Sequence, residues 1–301
     1  MKILEKYLGF AKRYQKRTYD ELKHSFSIQY EKIKNTDIDR FIIQAWVSNN
    51  DNLKVSFDNY PPYDFLRLNS VRNTMFVYSP GEWLEKQIQF LEQNIPYKTL
   101  KKVLYEDPFG KPYLVSYKYI TSHNSIHLLY HLCKFMNTTK SDFNAMDTVI
   151  DWGGGYGNLI KIMDRLINKK LTYIIIDTPL FSCLQWLYLS VVTNKERVNI
   201  ITSKEQKVEE KKINLLPVSF LEDFELHCDL FVSTWALSES SDYSQDYVYG
   251  KDFFKAGSLL IGFQRSNEKM IFADRIEILL KNKGALIEEL GFIPDNFYGF
   301  L

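Results

Sequence analysis

Two patterns of apolar positions divide the chain. Residues 1–35 carry apolar side chains at helical spacing, and the same spacing recurs at 82–94, after a helix start at Pro80, and from about 125 to 136. Between them, the apolar run LKVSF at 53–57 predicts a short strand, and the following DNYPPYD predicts a turn. The first 144 residues therefore predict a mainly helical region with irregular connections.

From residue 145 the pattern alternates between short apolar runs and helical repeats. It predicts strands at 148–151, 172–176, 198–202, 213–216, 229–234 and 258–263, with helices at 157–168, 179–193 and 269–283. The tail ALIEELGFIPDNFYGFL predicts a final pair of strands. Such alternation is typical of an open, mostly parallel α/β sheet, whose ligands bind beyond the carboxyl ends of the strands. We therefore expect a helical domain at 1–144 and an α/β domain at 145–301.

Composition and charge exclude several classes of protein. The 301 residues are 45% hydrophobic and 25% charged, which excludes wholesale disorder, and a net charge of +1 gives no basic excess for a nucleic-acid partner. Cys133, Cys183 and Cys228 lie too far apart for a disulfide framework or a zinc knuckle, which favours a reducing compartment. The first residues show no apolar signal core, and the least polar stretch, 178–194, is too short and too polar to span a membrane. We expect a cytoplasmic protein without a membrane span.

A glycine-rich turn carries the strongest signal for chemistry. The sequence VIDWGGGYGN at 149–158 places Asp151 at the end of a predicted strand and Gly153, Gly155 and Gly157 in the turn that follows. A cofactor can lie against the backbone there because glycines have no side chains, and the next helix offers free N–H groups. The pattern therefore predicts a cofactor site.

Three kinds of cofactor loop share such glycines. A phosphate loop ends in Gly-Lys-Ser/Thr, whereas this turn continues through Asn158 and Leu159, so that class is excluded. A dinucleotide loop has its third glycine where Asn158 stands, so NAD is the poorer match. The remaining pattern, D-x-G-x-G-x-G, resembles motif I of class I S-adenosylmethionine-dependent methyltransferases without departure. The resemblance implies a Rossmann-like open sheet, S-adenosylmethionine as cofactor, and Asp151 near its methionine amino end.

The next predicted strand supplies a second acid. Asp177 ends that strand, 24 residues after Gly153, where a carboxylate can accept hydrogen bonds from both ribose hydroxyls. Its alternative role is to cap the helix that begins with Pro179. Aromatic side chains can stack on adenine or face a sulfonium, with core packing as the alternative role. The remaining candidate cofactor-binding residues are Trp152, Tyr156, Thr178 and Trp235.

A longer resemblance covers about residues 85–265. The runs DWGGGYGNLIKI, IIIDTPLFSCLQWLYLS and DLFVSTWALSE, with EDPFGKP and SHNSIHLLYHL upstream, resemble a bacterial family of sugar O-methyltransferases. This implies methylation of a sugar hydroxyl in surface-glycan assembly, with a sugar, a sugar nucleotide or a glycan as acceptor. Two alternatives stay open, namely methylation of another small hydroxylated metabolite and a non-catalytic cofactor-binding partner of a glycan-assembly enzyme. The oligomeric state is also open.

A sugar hydroxyl is a weak nucleophile, so the reaction calls for a general base. Glu239, after the DLFVST strand, is one candidate, with a solvated or helix-capping carboxylate as its alternative role. His123 and His127 are the others, and they share a predicted helix face with His131. Histidines at this spacing can bind a metal, but O-methyl transfer does not require one, and we predict none. The candidate substrate-binding residues, for which an exposed polar loop is the alternative, are Ser238, Gln264 and Arg265.

The segment DNYPPY at 58–63 is similar to the D/N-P-P-Y loop of methyltransferases that act on DNA adenine. That loop requires Asn or Asp directly before the prolines, and here Tyr60 intervenes. A proline-containing turn is the better interpretation of this segment.

Overall fold

The computed structural model describes residues 2–75, 81–116 and 118–301, with side chains from residue 12 onward. The first part of the chain is mainly helical, as predicted, while the predicted helix start at Pro80 lies outside the described residues. The helix predicted from about 125 begins at His123, because the Ser122 hydroxyl accepts a hydrogen bond from the Ser125 N–H and caps it. The elements are α1 (Lys2–Ile33), α2 (Gln44–Phe57), α3 (Asn69–Met75), α4 (Gly81–Asn94), α5 (Tyr97–Val103), β1 (Leu114–Ser116), β2 (Thr121–Ser122) and α6 (His123–Thr139).

The prediction of a strand at 53–57 is wrong. These residues form the end of α2, in which Leu53 and Phe57 are buried while Val55 is 82% exposed. Burial of residues four apart is the helical period, so packing against the core decides the structure of this run over its local β propensity. The helix ends at Asp58, which has a φ of +50°, and the predicted turn follows.

After residue 145 the described chain forms an eight-stranded sheet, which confirms the α/β prediction. Its strands lie in the order β5-β6-β4-β3-β7-β8-β10-β9. Pairs from β5 to β8 are parallel, whereas β10 runs antiparallel to both β8 and β9. The strands are β3 (Thr148–Trp152), β4 (Thr172–Asp177), β5 (Val198–Ile200), β6 (Ile213–Pro217), β7 (Leu230–Thr234), β8 (Ser258–Gln264), β9 (Leu286–Glu289) and β10 (Asn296–Phe300).

Helices cover both faces of this sheet, because alternate strand residues are apolar on each side. Val149 and Ile175 belong to the same hydrophobic core as Phe26 and Leu53 of the helical part, so this core continues from one part of the chain into the other. Ile150 belongs to a second core on the opposite face. The predicted helix at 269–283 begins later than expected, at residue 274. The helices are α7 (Asn158–Leu166), α8 (Pro179–Val192), α9 (Asp242–Gly250), α10 (Asp252–Lys255) and α11 (Asp274–Asn282).

The strand order reverses direction at β3. The chain passes from β3 to β4 on one side, and later returns to place β7 on the other side of β3. Connections that leave in opposite directions open a crevice at the carboxyl ends of these strands. The proposed boundary between residues 144 and 145, which falls in the short turn Phe143–Ala145, stays a prediction.

Candidate active site

A cavity of about 400 Å³ lies at this crevice. The glycine turn after β3 and the residues that follow β4 and β7 form part of its wall. The helical part of the chain supplies Phe41, Ile42 and Trp46 on α2 or just before it, and Asn124 and His127 on α6. The cavity therefore lies between the sheet and the N-terminal helices, which is where a small-molecule site is expected.

The glycines of the turn have distinct physical roles. Gly153 has a φ of +74°, and a Cβ atom there would lie 2.1 Å from the Cβ atom of Ala236. Gly155 has a φ of +57°, and a Cβ atom there would meet nothing within 4 Å, which leaves bare backbone at the cavity. Gly157, with a φ of +92°, caps α7 and is not part of the described cavity wall. The turn is thus shaped for close approach of a ligand to the backbone.

Asp151 is a buried acid in the wall of the cavity. Its Oδ2 atom has no hydrogen-bond partner among the described residues. Burial raises the pKa of this carboxyl to about 8, and the nearby charge of Asp177 adds to the shift. An orphaned buried carboxylate oxygen is costly, so the site is prepared for a ligand that donates hydrogen bonds or carries positive charge.

Asp177 is held by three donors around its carboxylate. The Thr178 N–H donates to Oδ1 at 2.8 Å, the Gln185 amide donates to Oδ2 at 2.8 Å, and the Gly155 N–H also contributes. Burial nevertheless raises its pKa to about 7. Gln185 also donates to the Gly155 carbonyl at 2.9 Å, so its amide ties the acid to the glycine turn. Thr178 lines the cavity, and its hydroxyl donates to Asn50 of α2.

Glu239 lies in the cavity wall, in the loop after β7. Burial raises the pKa of this carboxyl to about 7, although a hydrogen bond from the Trp46 side chain opposes the shift. A carboxyl with this pKa can exchange a proton near neutral pH, which suits a general base. The Trp46 contact joins the helical part of the chain to this loop.

His127 lies in the wall and contacts several other rings. Its Nδ1 lies 3.0 Å from the Gln87 amide nitrogen, while its Nε2 is buried without a hydrogen-bond partner among the described residues. Burial lowers its pKa well below the usual range, so the ring is neutral at pH 7. The ring stacks on Trp235, with centroids 5.9 Å apart, and packs edge-on against His131, whose Nδ1 bonds to the Tyr298 hydroxyl.

The remaining predicted cofactor residues lie at the cavity. The Trp152 indole donates to the Ser240 hydroxyl at 3.1 Å, and the Tyr156 hydroxyl accepts from Asn124 at 2.9 Å. Trp235 follows β7 with a φ of +71°, and its indole donates to Asn296. All of these aromatic residues are part of the wall.

Several predicted site residues lie apart from the cavity wall. His123 begins α6 but is not part of the described wall, and Ser238 is buried with its hydroxyl donating to the Trp235 carbonyl at 2.7 Å. Arg265 lies near the carboxylates of Glu277 and Asp295, while Gln264 does line the cavity. The roles predicted for these residues stay predictions. No three His, Cys, Asp or Glu side chains in the described part come together as a metal site.

Sequence reasoning missed five residues of this site. Gln185, Asn158 and Asn124 lie inside the motif runs named above, yet only folding reveals the partners that fix their amides. No local signal indicates that the side chains of Trp46 and Asn296 reach the same cavity. Their segments are far apart in sequence, so their meeting is a tertiary property.

No protein-family model and no curated protein matches the chain. Among solved structures, the mitomycin 7-O-methyltransferase MmcR is 14% identical, with a TM-score of 0.40, over 82% of this chain and 71% of that one. The pyocyanin biosynthetic protein PhzM is 12% identical, with a TM-score of 0.40, over 61% of this chain and 56% of that one. A SAM-dependent methyltransferase from Aquifex aeolicus is 13% identical, with a TM-score of 0.39, over 71% of this chain and 96% of that one. These similarities are distant, so the chemistry of the cavity rests on its own residues.

No described helix has the length and apolar character that crossing a membrane requires.

Proposed function

We propose that the chain is a methyltransferase that uses S-adenosylmethionine to methylate a hydroxyl oxygen of a small acceptor. One observation carries the proposal: two acids, the buried Asp151 and the half-buried Asp177, flank a bare glycine turn in a single cavity. This arrangement matches an elongated ligand with an amino group at one end and a ribose in the middle. The motif D-x-G-x-G-x-G, which resembles motif I of class I methyltransferases, agrees with it.

The residues present fit this cofactor. The orphaned Oδ2 of Asp151 can pair with the methionine ammonium, and Asp177, already fixed by Gln185, can accept from the ribose hydroxyls. The open space in front of Gly155 leaves room for the cofactor chain against the backbone. The aromatic walls include Trp152 and Phe181, which offer apolar surface for the adenine.

The cofactor would supply an electrophilic methyl group, and the chain would supply position and a proton acceptor. Glu239 is the group of the wall that can receive the acceptor's proton. The Gln87 NH₂ group donates to His127 Nδ1, so the neutral His127 ring carries its own proton on Nε2. Glu239 has a pKa of about 7 and can be ionised when the hydroxyl arrives. The His127 Nε2–H, which has no partner among the described residues, can donate a hydrogen bond to the acceptor oxygen. The amides of Gln264 and Asn124 can hold neighbouring polar groups.

We further propose a sugar hydroxyl as the acceptor, in the cytoplasm, during assembly of a bacterial surface glycan. The motif runs that resemble the sugar O-methyltransferases support this choice, and amide-bearing side chains at the cavity suit a polyol. The buried, unpaired Cys133, Cys183 and Cys228 agree with a reducing compartment. The indole of Trp235 can pack against the apolar face of a sugar ring.

Calorimetric titration with S-adenosylhomocysteine tests the cofactor, with NAD as the comparison ligand. We expect micromolar binding of S-adenosylhomocysteine alone, and loss of that binding in Asp177→Ala. Asp223→Ala is the matched control, because Asp223 is exposed and is not part of the described cavity wall. Binding of NAD in preference, or equal binding by Asp177→Ala, would contradict the proposed cofactor.

Methyl transfer from labelled S-adenosylmethionine to a panel of sugars, sugar nucleotides and phenols tests the acceptor. We expect turnover with a sugar-containing compound and a loss of turnover of about 100-fold or more in Glu239→Gln. Turnover restricted to phenols would favour another small hydroxylated metabolite. Cofactor binding without turnover on any acceptor of the panel would favour the non-catalytic alternative.

A further inference from the structure

A network of buried hydrogen bonds connects the EDPF segment, residues 106–109, with the wall of the cavity. Lys161 on α7 donates to Glu106 Oε1 at 2.7 Å, and both side chains are almost fully buried. The Ser125 hydroxyl, in the first turn of α6, donates to Glu106 Oε2 at 2.6 Å. The Asn158 amide nitrogen then lies 3.1 Å from the Ser125 oxygen, and Asn158 lines the cavity.

The ionisation state of Glu106 fixes the direction of each hydrogen bond in this network. Burial opposes ionisation of Glu106, but the Lys161 charge and the hydrogen bonds together hold its pKa below the usual range. An ionised carboxylate only accepts hydrogen bonds, so the single proton of the Ser125 hydroxyl goes to Glu106. Ser125 can therefore only accept from Asn158, which turns the Asn158 NH₂ group toward Ser125 and its Oδ1 away from it.

The orientation leaves an acceptor without a donor at the cavity. Asn158 Oδ1 is buried and has no hydrogen-bond partner within the described ranges. Asp151 Oδ2, in the wall of the same cavity, is also buried without a hydrogen-bond partner among the described residues. Two orphaned acceptors favour a ligand group with several donors and a positive charge, as an ammonium has.

We propose that Asn158 binds the ammonium of the cofactor's methionine part together with Asp151, and that Ser125 and Glu106 are positioning residues that hold the Asn158 amide in the binding orientation. This inference rests on the proposed cofactor. It gives the EDPF segment a role in cofactor recognition, although Glu106 is not part of the described cavity wall.

Two ligands that differ only at the amino-acid end separate this role from a structural one. S-adenosylhomocysteine has the ammonium, whereas 5′-methylthioadenosine keeps the adenosine and lacks the amino-acid part. For Asn158→Leu, which has similar volume and no polar atoms, we expect about tenfold or greater loss for S-adenosylhomocysteine. Binding of 5′-methylthioadenosine should stay within about twofold of the parent. Equal losses for both ligands, or no loss for either, would overturn the proposal, whereas a parent that binds neither ligand would refute the proposed cofactor instead.

Ser125→Ala tests the positioning step and keeps the proposal testable if Asn158→Leu does not fold. It removes the partner of the Asn158 amide and leaves the Lys161–Glu106 pair in place. We expect a smaller loss that is again selective for S-adenosylhomocysteine, and no further loss when the change is added to Asn158→Leu. Ser190→Ala is the matched control, because this buried serine has no hydrogen-bond partner in the described part. Additive losses in the double variant, or an unselective loss, would refute the positioning role.

Discussion

The buried carboxyl of Asp151 makes cofactor affinity dependent on pH. In the free protein its pKa is about 8, because burial and the charge of Asp177 both favour the neutral form. An ammonium placed against Oδ2 reverses that preference, since an opposite charge at hydrogen-bond distance favours the carboxylate. Binding should therefore release a proton from this group, and affinity should rise with pH.

The size of the effect follows from the pKa. With a pKa of about 8, about one molecule in 100 carries an ionised Asp151 at pH 6 and about half do at pH 8. Affinity should therefore be about 50-fold weaker at pH 6 than at pH 8, with close to one proton released on binding at the lower pH. Asp177, with a pKa of about 7, makes the dependence steeper.

Calorimetric titration with S-adenosylhomocysteine from pH 6 to 8 measures this dependence. Repeating each titration in two buffers of different ionisation enthalpy counts the released protons. Asp151→Asn is the matched variant, because it keeps the shape of the side chain and cannot ionise. We expect weaker binding at pH 8 and a flatter pH dependence in this variant. Constant affinity across the range in the parent, or an equal slope in both proteins, would refute the reasoning.

The pH dependence of the stability of Asp151→Asn is a second test of the Asp151 pKa. The folded pKa of Asp151 lies above the usual value of 3.8, so its contribution to stability is present at low pH and is lost as pH rises toward about 8. Asp151→Asn does not have this loss. Without ligand, its melting temperature should rise relative to the parent between pH 5 and pH 8. A difference in melting temperature that stays constant would contradict the assigned pKa.

Three further predictions concern the parts around this acid. Gly153→Ala should abolish cofactor binding and lower the free energy of unfolding by about 2–4 kcal/mol, because the φ of residue 153 is positive and the new Cβ atom would collide with Ala236. Urea unfolding that shows the same stability as the parent would contradict this. Lys161→Met should cost about 3–5 kcal/mol in the same assay, since it leaves the Glu106 charge buried alone. Trp46→Phe removes a hydrogen bond that lowers the Glu239 pKa, so the acidic limb of the pH–rate profile should move to higher pH; an unmoved limb would exclude Glu239 as the base.

The second half of the chain could be predicted from sequence because its signals are local. Parallel strands buried on both faces are continuous apolar runs, as at 172–177, and the glycine turn lies within nine residues of Val149. Asp151, Gly153, Gly155 and Asp177 therefore reach the cavity by virtue of strand ends that the pattern already locates.

The mainly helical character of the first half was predicted, but the strand assigned to 53–57 and the long-range contacts of the site were not, because tertiary contacts decide them. The run at 53–57 has the composition of a strand, yet it packs as the end of a helix with Leu53 and Phe57 inward. The hydrogen bond from Trp46 to Glu239 joins residues nearly 200 positions apart. Asn158 lies in the glycine motif, but the orientation of its amide depends on the hydrogen bond that Ser125 donates to Glu106. No window of sequence contains that information.

The raised pKa values of the cavity carboxyls also link cofactor binding to proton uptake in the proposed reaction. Asp151, Asp177 and Glu239 have pKa values of about 7–8, each raised first by burial. A cationic ligand favours ionisation of all three, so it prepares Glu239 as a proton acceptor. In the proposed reaction, transfer of the methyl group would remove the cofactor's positive charge, and the acceptor hydroxyl would release its proton. Glu239 can take that proton once the neighbouring charge has gone, because burial then favours its neutral form. The burial that raises the cost of the empty site thus favours both cation binding before the transfer and proton uptake after it.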